Sequence, residues 1–580
     1  MDKIFECIDL KKELPFSDHD YIKFYGSLYN QESLKKELKL KEKIETIDLI
    51  AIAYQAYGTE LFKKLDGVFS LTIYDKKENI LYLVKDRVGL YPLYFYNHNQ
   101  TLIFGSSLKD FYTIPAFTKK IDKNALALYL TYGYILQPYT IFEHTYKVKS
   151  GHFVAYDMKN NSWEQKAYWK LESCYAKEKT PLAENDVLES AEEILYSAVE
   201  KRIDPKQAIA ASLSGGYDSS MVAALLTQKS SQKIDTFTIG FDEKEINEAH
   251  YAKKIASYLG TNHHEHYFSE ADAIEIVPKL SLAYDEPFAD YAATPTVLMS
   301  QLVKQNGFET LFVGDGGDEV FATADDVAQF DKLLNTPKAI KSSIYHILNS
   351  VNPLKIPLLK SYQNFPTKHY KLLQLLTATK VSHMVKAKPI LFYDQEIKTL
   401  LKNENTKFKT TFDEIDFPEF AETVDQVIGS YFKTTMVDAE LVKSFQAARY
   451  ANISIKEPLL DLDLIQYMAG VSGNLKIKEG EKKYILKQIA HKYIPKNLLD
   501  RPKSGFAIPF STWLKGPLKD LLYAHINEKR LNDDGLFDSK SVLKIRDAFY
   551  KGNESYKYKL WTLFLFQLWH DKVFSTLNDI

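Results

Sequence analysis

Two cysteines, Cys7 and Cys174, are all that the 580 residues contain. So small a number excludes a disulfide framework and a four-thiolate zinc site, and it suits a reduced, cytoplasmic setting. Net charge is scarce as well. Seventy-four lysines and arginines face 76 aspartates and glutamates, so the chain lacks the field that holds a protein to nucleic acid through phosphate neutralisation. Long apolar runs are missing too. The longest, LWTLFLFQLW near the C-terminus, is about half of the ~20 residues that span a bilayer, and it reads as a buried terminal helix. The start, MDKIFECIDLKK, has neither the basic opening nor the apolar middle of a signal peptide. These deficits lead to the expectation of a cytoplasmic protein with no nucleic-acid partner and no membrane partner. At this length two or more domains are expected.

The residues that are present change character along the chain. Residues 1–115 carry short alternating segments, clearest in GVFSLTIYDKKENILYLVKDR. There Val68, Ser70 and Thr72 face one way and Phe69, Leu71 and Ile73 the other, with KKEN as the turn. VGLYPLYFY, TLIFGSS and the hairpin HFVAYDMKNNSWEQKAYW continue the pattern, and a charged linker over 171–186 comes next. From Val187 the texture becomes helix alternating with apolar strand: AIAASL, IDTFTIGF and ETLFVGDGGDE read as strands between helices. Such alternation predicts an α/β fold with a doubly wound parallel sheet, which binds ligands at the carboxyl ends of its strands. Residues from about 325 to 450 show helical patterns only, rich in Lys and Tyr.

The stretch ASLSGGYDSSM, Ala211 to Met221, lies at a strand-to-helix seam. The strand ends at Leu213. Gly215 and Gly216 let backbone approach a ligand closely, while Ser214, Ser219, Ser220 and the unpaired N–H groups of the helix start converge on an anion. Asp218 would repel bare phosphate, so it implies a bridging Mg²⁺. No lysine occupies the loop, which separates it from the loop that serves γ-phosphate transfer. His264 and His266 alternate on an expected strand, but no third ligand is spaced for zinc, and they read as structural.

SLSGGYDSS resembles the pyrophosphate loop of ATP pyrophosphatases. YDEPFADYAATPTVLMSQL, VGDGGDEVF, TIGFDEKEINEAHYAKKIASYLGTNHHEH and KKYILKQIAHKYIPKNLLDRPKSGFAIPFSTWLKGPLKDLL resemble the synthetase domain of asparagine synthetases. The resemblance implies an Ntn-hydrolase-like, β-rich (α+β) glutamine-amidotransferase domain over 1–170. It also implies an adenine nucleotide α-hydrolase-like ligase domain over 187–580. It further implies ATP and Mg²⁺ as cofactors, with Ser214, Gly215, Gly216, Asp218, Ser219 and Ser220 around pyrophosphate. Ile239 then contacts adenine through its backbone, Val313 and Gly314 lie on the nucleotide side, and Asp318 partners Asp218 on the metal. Asp315 faces the acyl-adenylate, Lys503 is the catalytic lysine, and a fixed cation there stabilises developing phosphate and oxyanion charge. A homodimer is the expected assembly.

Two departures shape the expected activity. Position 2, where glutamine-dependent relatives place a catalytic cysteine, is Asp2. Tyr25, Ser27 and Thr46 replace the family's Asn, Glu and Asp, and Cys7 is internal. A scaffold without its nucleophile is not expected to hydrolyse glutamine. In KSFQAARYANISIKEPLLD, Lys443 to Asp461, the usual Asp-Arg pair becomes Phe445-Gln446, while Ser454 and Glu457 replace Glu and Val. Glu440 falls near the place of an acid that deprotonates an internal amine in β-lactam synthetases. The first expectation is therefore an AMP-forming amide ligase joining a small-molecule or peptide carboxylate to an amine. Asparagine synthesis from aspartate and ammonia is the second. A nucleotide-binding pseudoenzyme or assembly subunit is the third, and the retained Asp218, Asp318 and Lys503 argue against it. Thiolating tRNA modification is disfavoured by the absence of a basic face.

Overall fold

A computed structural model describes residues 4–9, 21–40, 43–176, 178–179, 181–243, 247–323, 326–351, 353, 356, 365–402, 409–501 and 508–574. Contacts divide the chain into two compact units: residues 1–122 with 136–174, and residues 123–135 with 175–580.

The first unit contains β1 (Phe5–Asp9), β2 (Tyr21–Leu28), β3 (Gly67–Asp75), β4 (Ile80–Lys85), β5 (Tyr94–His98), β6 (Thr101–Gly105), β7 (Thr145–Lys147), β8 (His152–Asp157) and β9 (Ser162–Ala167). They form two antiparallel sheets, ordered β1–β6–β5–β7 and β2–β3–β4–β8–β9. The period-2 pattern of β3 sends Phe69, Leu71 and Ile73 against Leu49, Ile50 and Ala53 of the helix Thr46–Tyr57. On the opposite faces of this sheet Leu83 and Val154 meet Phe95 and Phe104 of the other one. Both faces of β3 are thus covered, and even Ser70 and Thr72 are buried. Ser70 is satisfied there by donating to the carbonyls of Tyr91 and Pro92 at 3.1 and 2.9 Å.

The second unit is built on β10 (Ala210–Ser212), β11 (Asp235–Phe241), β12 (Asn262–Phe268), β13 (Thr310–Phe312) and β14 (Ser454–Lys456). All pair in parallel, in the order β12–β11–β10–β13–β14. The chain steps outward from β10 to β12 and then returns to the other side of β10 for β13. The strand order therefore reverses between β10 and β13, and a crevice opens there at the carboxyl ends. Short, largely apolar β10 and β13 suit a sheet centre covered on both faces. The helix Tyr217–Lys229 after β10 is buried from Met221 through Leu226, which explains its lack of a polar stripe. β14 was not foreseen: its three residues lie inside the segment Lys443 to Asp461, read from the sequence only for its departures from the family. Residues 171–186 hold a 3₁₀ turn, Leu171–Tyr175, and the start of the helix Glu184–Glu200.

Candidate functional site

The crevice between β10 and β13 holds a cavity of about 460 Å³, within the usual range for small-molecule sites. Its floor comes from Leu213, Ser214, Asp218 and Ser219 on one side and from Val313, Gly314, Asp315 and Asp318 on the other. Ile239 and Glu440 also line it. Gly215, Gly216 and Ser220 belong to the same loop and helix start but do not form its wall. Lys503 lies outside the described residues.

The two floor loops are held together by the absence of side chains. A Cβ on Gly314 would sit 2.7 Å from the backbone nitrogen of Ser219, and one on Gly317 would sit 2.1 Å from Asp218 Oδ1. Gly215 has φ of +78°, a conformation that favours glycine. Its carbonyl and that of Ser214 accept from Arg501, whose Nη1 pairs with Glu248 at 2.6 Å. Inside the loop, Ser214 N donates to Ser219 Oγ at 3.1 Å, and Gly216 N donates to Ser214 Oγ at 3.3 Å. The helix Tyr217–Lys229 opens with no side-chain cap on its N-cap Gly216, so its first turn is oriented for an anion.

A lysine that the sequence reading did not single out lies behind this floor and joins its two carboxylates. Lys483 Nζ donates to both oxygens of Asp218 at 2.6 Å each and pairs with Asp318 Oδ1 at 2.5 Å. Burial alone would lower its pKa, yet the two carboxylates carry it above the ordinary lysine value. Its sequence signal was the block KKYILKQ, which carries part of the family resemblance, but the resemblance assigned the cationic role to Lys503. Asp218 and Asp318, arriving from two strand ends, converge on one point as two hard oxygen donors. That donor set fits Mg²⁺, although no group of three or more His, Cys, Asp or Glu arranged for a metal occurs among the described residues.

The far wall comes from a long helical segment with a π-helical stretch, Phe432–Glu440, leading into the helix Leu441–Tyr450. Met436, Glu440, Lys443 and Ser444 present one face to the cavity. Lys443 Nζ lies 3.0 Å from Asp290 Oδ2 and 2.5 Å from Glu440 Oε2, and Ser444 Oγ donates to Asp315 Oδ2 at 2.6 Å. Burial raises the pKa of Asp315 and Glu440, and it pushes Glu319 up to about 8. Perturbed carboxyls gathered in a cleft are the pattern of a reaction site. Asp290, Glu319, Lys443 and Ser444 are members of the wall that sequence reasoning missed.

One expectation needs correction. Phe445, Gln446, Ser454 and Glu457, the departures taken to signal a changed substrate, are not in the cavity wall. Gln446 turns away and accepts from Asp285 N at 2.7 Å, because successive residues of a helix point about 100° apart. His264 and His266 each pair with a separate carboxylate, Asp235 at 2.7 Å and Asp272 at 3.1 Å.

The profile of asparagine synthase matches residues 190–571, and that of a glutamine amidotransferase domain matches residues 6–169. The chain belongs to the asparagine synthase family. Members of this family are carbon–nitrogen ligases that use ATP. A putative glutamine-hydrolyzing asparagine synthetase 2 of Methanocaldococcus jannaschii is 34% identical over 52% of this chain and 58% of its own length. This chain thus spans little more than half of that relative. Glutamine-hydrolyzing asparagine synthetase 1 of Bacillus subtilis is 25% identical over 96% of this chain and 86% of its own length. Among solved structures, a glutamine phosphoribosylpyrophosphate amidotransferase from B. subtilis aligns over 51% of this chain and 61% of its own, with 10% identity and a TM-score of 0.19.

Proposed function

We propose that the chain is an ATP-dependent, AMP-forming amide ligase that adenylates a carboxylic acid and transfers the acyl group to an amine. One observation carries this reading: Lys483 ties together Asp218 and Asp318, two floor residues of a cavity whose opposite wall presents Glu440 and Lys443. A carboxylate oxygen of the acid attacks the α-phosphorus of ATP, and the bond from that phosphorus to the bridging oxygen breaks, releasing pyrophosphate. Ser214, Ser219 and the helix start receive the pyrophosphate, and Lys483 balances its charge. Mg²⁺, which Asp218 and Asp318 would hold, supplies further neutralisation of the phosphates. The amine nitrogen then attacks the acyl carbon and AMP leaves. Glu440 and Glu319, with carboxyl pKa values raised by burial, are suited to take the proton that the nitrogen sheds.

Glutamine is not the nitrogen source in this reading. Tyr25 lies on β2, and its ring stands edge-on to Tyr91 at 4.8 Å, where family glutaminases place a polar asparagine. Asparagine synthesis from aspartate and ammonia stands as a second reading, favoured by the position of the departures in 443–461 away from the cavity. The reaction is assigned to the cytoplasm, in keeping with a content of only two cysteines, Cys7 and Cys174.

The test is pyrophosphate release from ATP and Mg²⁺ across aspartate, β-amino acids, uronic acids and acidic peptides, each with an ammonium salt, an amine or glutamine. We expect AMP and pyrophosphate with at least one acid, and no glutamate from glutamine. Products of ADP and phosphate would overturn the adenylation, and glutamate release would overturn the nitrogen assignment. Asparagine from aspartate and ammonium would decide for the second reading.

A further inference from the structure

From Lys332 to Tyr393 the sequence carries ten lysines and not one aspartate or glutamate, although acids are as frequent as bases in the chain as a whole. Lys380, Lys386 and Lys388, at one end of this run, pair with Asp416, Asp413 and Asp326. Lys332, Lys338, Lys341 and Lys368 make no ion pair among the described residues.

The unpaired lysines surround an unusual helix. Lys338–Ser350 has no buried residue. It rests against the helix Phe365–Thr377, with Lys341, Tyr345 and Leu348 only half-covered. Ile340, Ile344, Ile347 and Val351 recur at helical spacing and are 51%, 41%, 68% and 38% exposed. Leu334 and Leu372 add exposed apolar surface nearby in the chain. A stripe of β-branched side chains in water, on one face of an amphipathic helix, marks an interaction surface rather than an ordinary solvent face.

We propose that this helix docks the protein on an anionic lipid surface, lying in the interface plane with the isoleucine stripe toward the acyl region. Charge chooses the occupant. A second copy would bring the same unpaired lysines against these, with no carboxylate from this run to meet them. An anionic bilayer accepts both features: headgroups take the lysines while the hydrocarbon boundary takes the isoleucines. The helix is too short to span, and no described helix is long and apolar enough to cross a membrane, so the contact is peripheral. This departs from the sequence-based expectation of no membrane partner, which considered spanning and leader segments only.

The test uses the full chain in flotation with vesicles of phosphatidylcholine, with and without phosphatidylglycerol. The protein is expected to float with the anionic vesicles and to be released by salt, and to stay behind with phosphatidylcholine alone. Ile344→Asp with Ile347→Asp should abolish flotation. Lys338→Glu with Lys341→Glu should weaken it at least about ten-fold, since each lysine near such a surface is worth about 1 kcal/mol. Both doubles should leave pyrophosphate release unchanged. Absence of binding to either vesicle, or equal binding to both, would overturn the proposal. So would a dimer that Ile347→Asp dissolves, which would make a second copy the occupant. A lowered thermal midpoint for the isoleucine double would overturn it too, by showing that the chain itself covers the stripe.

Discussion

Lys483 is the residue on which the nucleotide end of the cavity depends. Its side chain is 7% exposed and its ammonium is held by Asp218 and Asp318, so removing it leaves two facing carboxylates without their cation. Lys483→Met, which keeps the stem volume, should cost ~3 kcal/mol of stability and lower kcat/KM for pyrophosphate release by ~10² to 10³. Circular dichroism and pyrophosphate kinetics on the same sample separate the two effects. Normal turnover by Lys483→Met, with complete loss in Lys503→Ala, would return the cationic role to Lys503. Glu457 makes a different prediction. Neither of its carboxyl oxygens has a hydrogen-bond partner among the described residues, and burial pushes its pKa from the ordinary 4.5 to about 8. The folded state thus retains a proton that the unfolded chain gives up, so its contribution to stability is full below pH 4.5 and is lost as pH rises toward 8. Glu457→Gln has no proton to lose. The thermal midpoint of the variant minus that of the wild type should therefore widen between pH 4.5 and 8 and then level off, as a calorimetric pH series would show. A gap that does not change with pH would mean that Glu457 is already ionised in the folded protein.

At the scale of elements, two loops form one floor because neither carries side chains where they touch. Gly314→Ala drives a methyl group into the backbone at Ser219, where no rotamer change relieves it. It should cost about 1–3 kcal/mol and depress pyrophosphate release with it. Gly216→Ala is the control: the nearest atom to its new methyl would be Ser214 Oγ at 3.4 Å, so stability should stay within about 1 kcal/mol of wild type. Denaturant midpoints for the two variants check the contrast, and equal losses would show that the approach of the loops does not matter. These elements were unequally legible in the sequence. SLSGGYDSS announced itself because a strand end, glycines and a helix start fall within a few consecutive residues, and local chemistry is what sequence displays. Lys483 did not, because its partner Asp218 is 265 residues away and nothing local marks it among the lysines around it. β14 was missed because a three-residue strand, Ser454–Lys456, is too short to show a period. Glu440, Lys443 and Ser444 share a face at ordinary helical spacing, but nothing local shows that this face meets Asp315, the partner of Ser444, 129 residues away.

At the scale of the whole molecule, the division into units does not follow a single cut in the chain. Residues 123–135 group with 175–580, although the sequence reading placed them inside an N-terminal domain, since an amphipathic pattern shows that a helix is buried but not against what. The helix Lys123–Tyr132 buries seven of its ten residues. Leu126, Leu128, Tyr129 and Leu130 are all fully buried. Tyr129 OH donates to the carbonyl of Thr562 at 2.7 Å, Leu391 N donates to Thr131 O at 2.7 Å, and Ala289 N donates to Gly133 O at 2.8 Å. The last of these fixes the backbone next to Asp290, which lines the cavity. A fragment beginning at Tyr175 keeps every strand of the parallel sheet and every charged residue of the cavity, yet it loses this helix. Each buried leucine is worth about 2 kcal/mol, so the helix as a whole accounts for much of the 5–15 kcal/mol that holds an ordinary domain together. The fragment should bind a hydrophobic dye, melt without a cooperative transition and release no pyrophosphate. Joining Lys123–Ile135 to Tyr175 through a glycine-serine linker should restore the cooperative melt, because it returns the missing core without the rest of the first unit. A fragment that melts sharply and turns over ATP like the full chain would mean that the helix is dispensable. The unit would then have to be redrawn at residue 175.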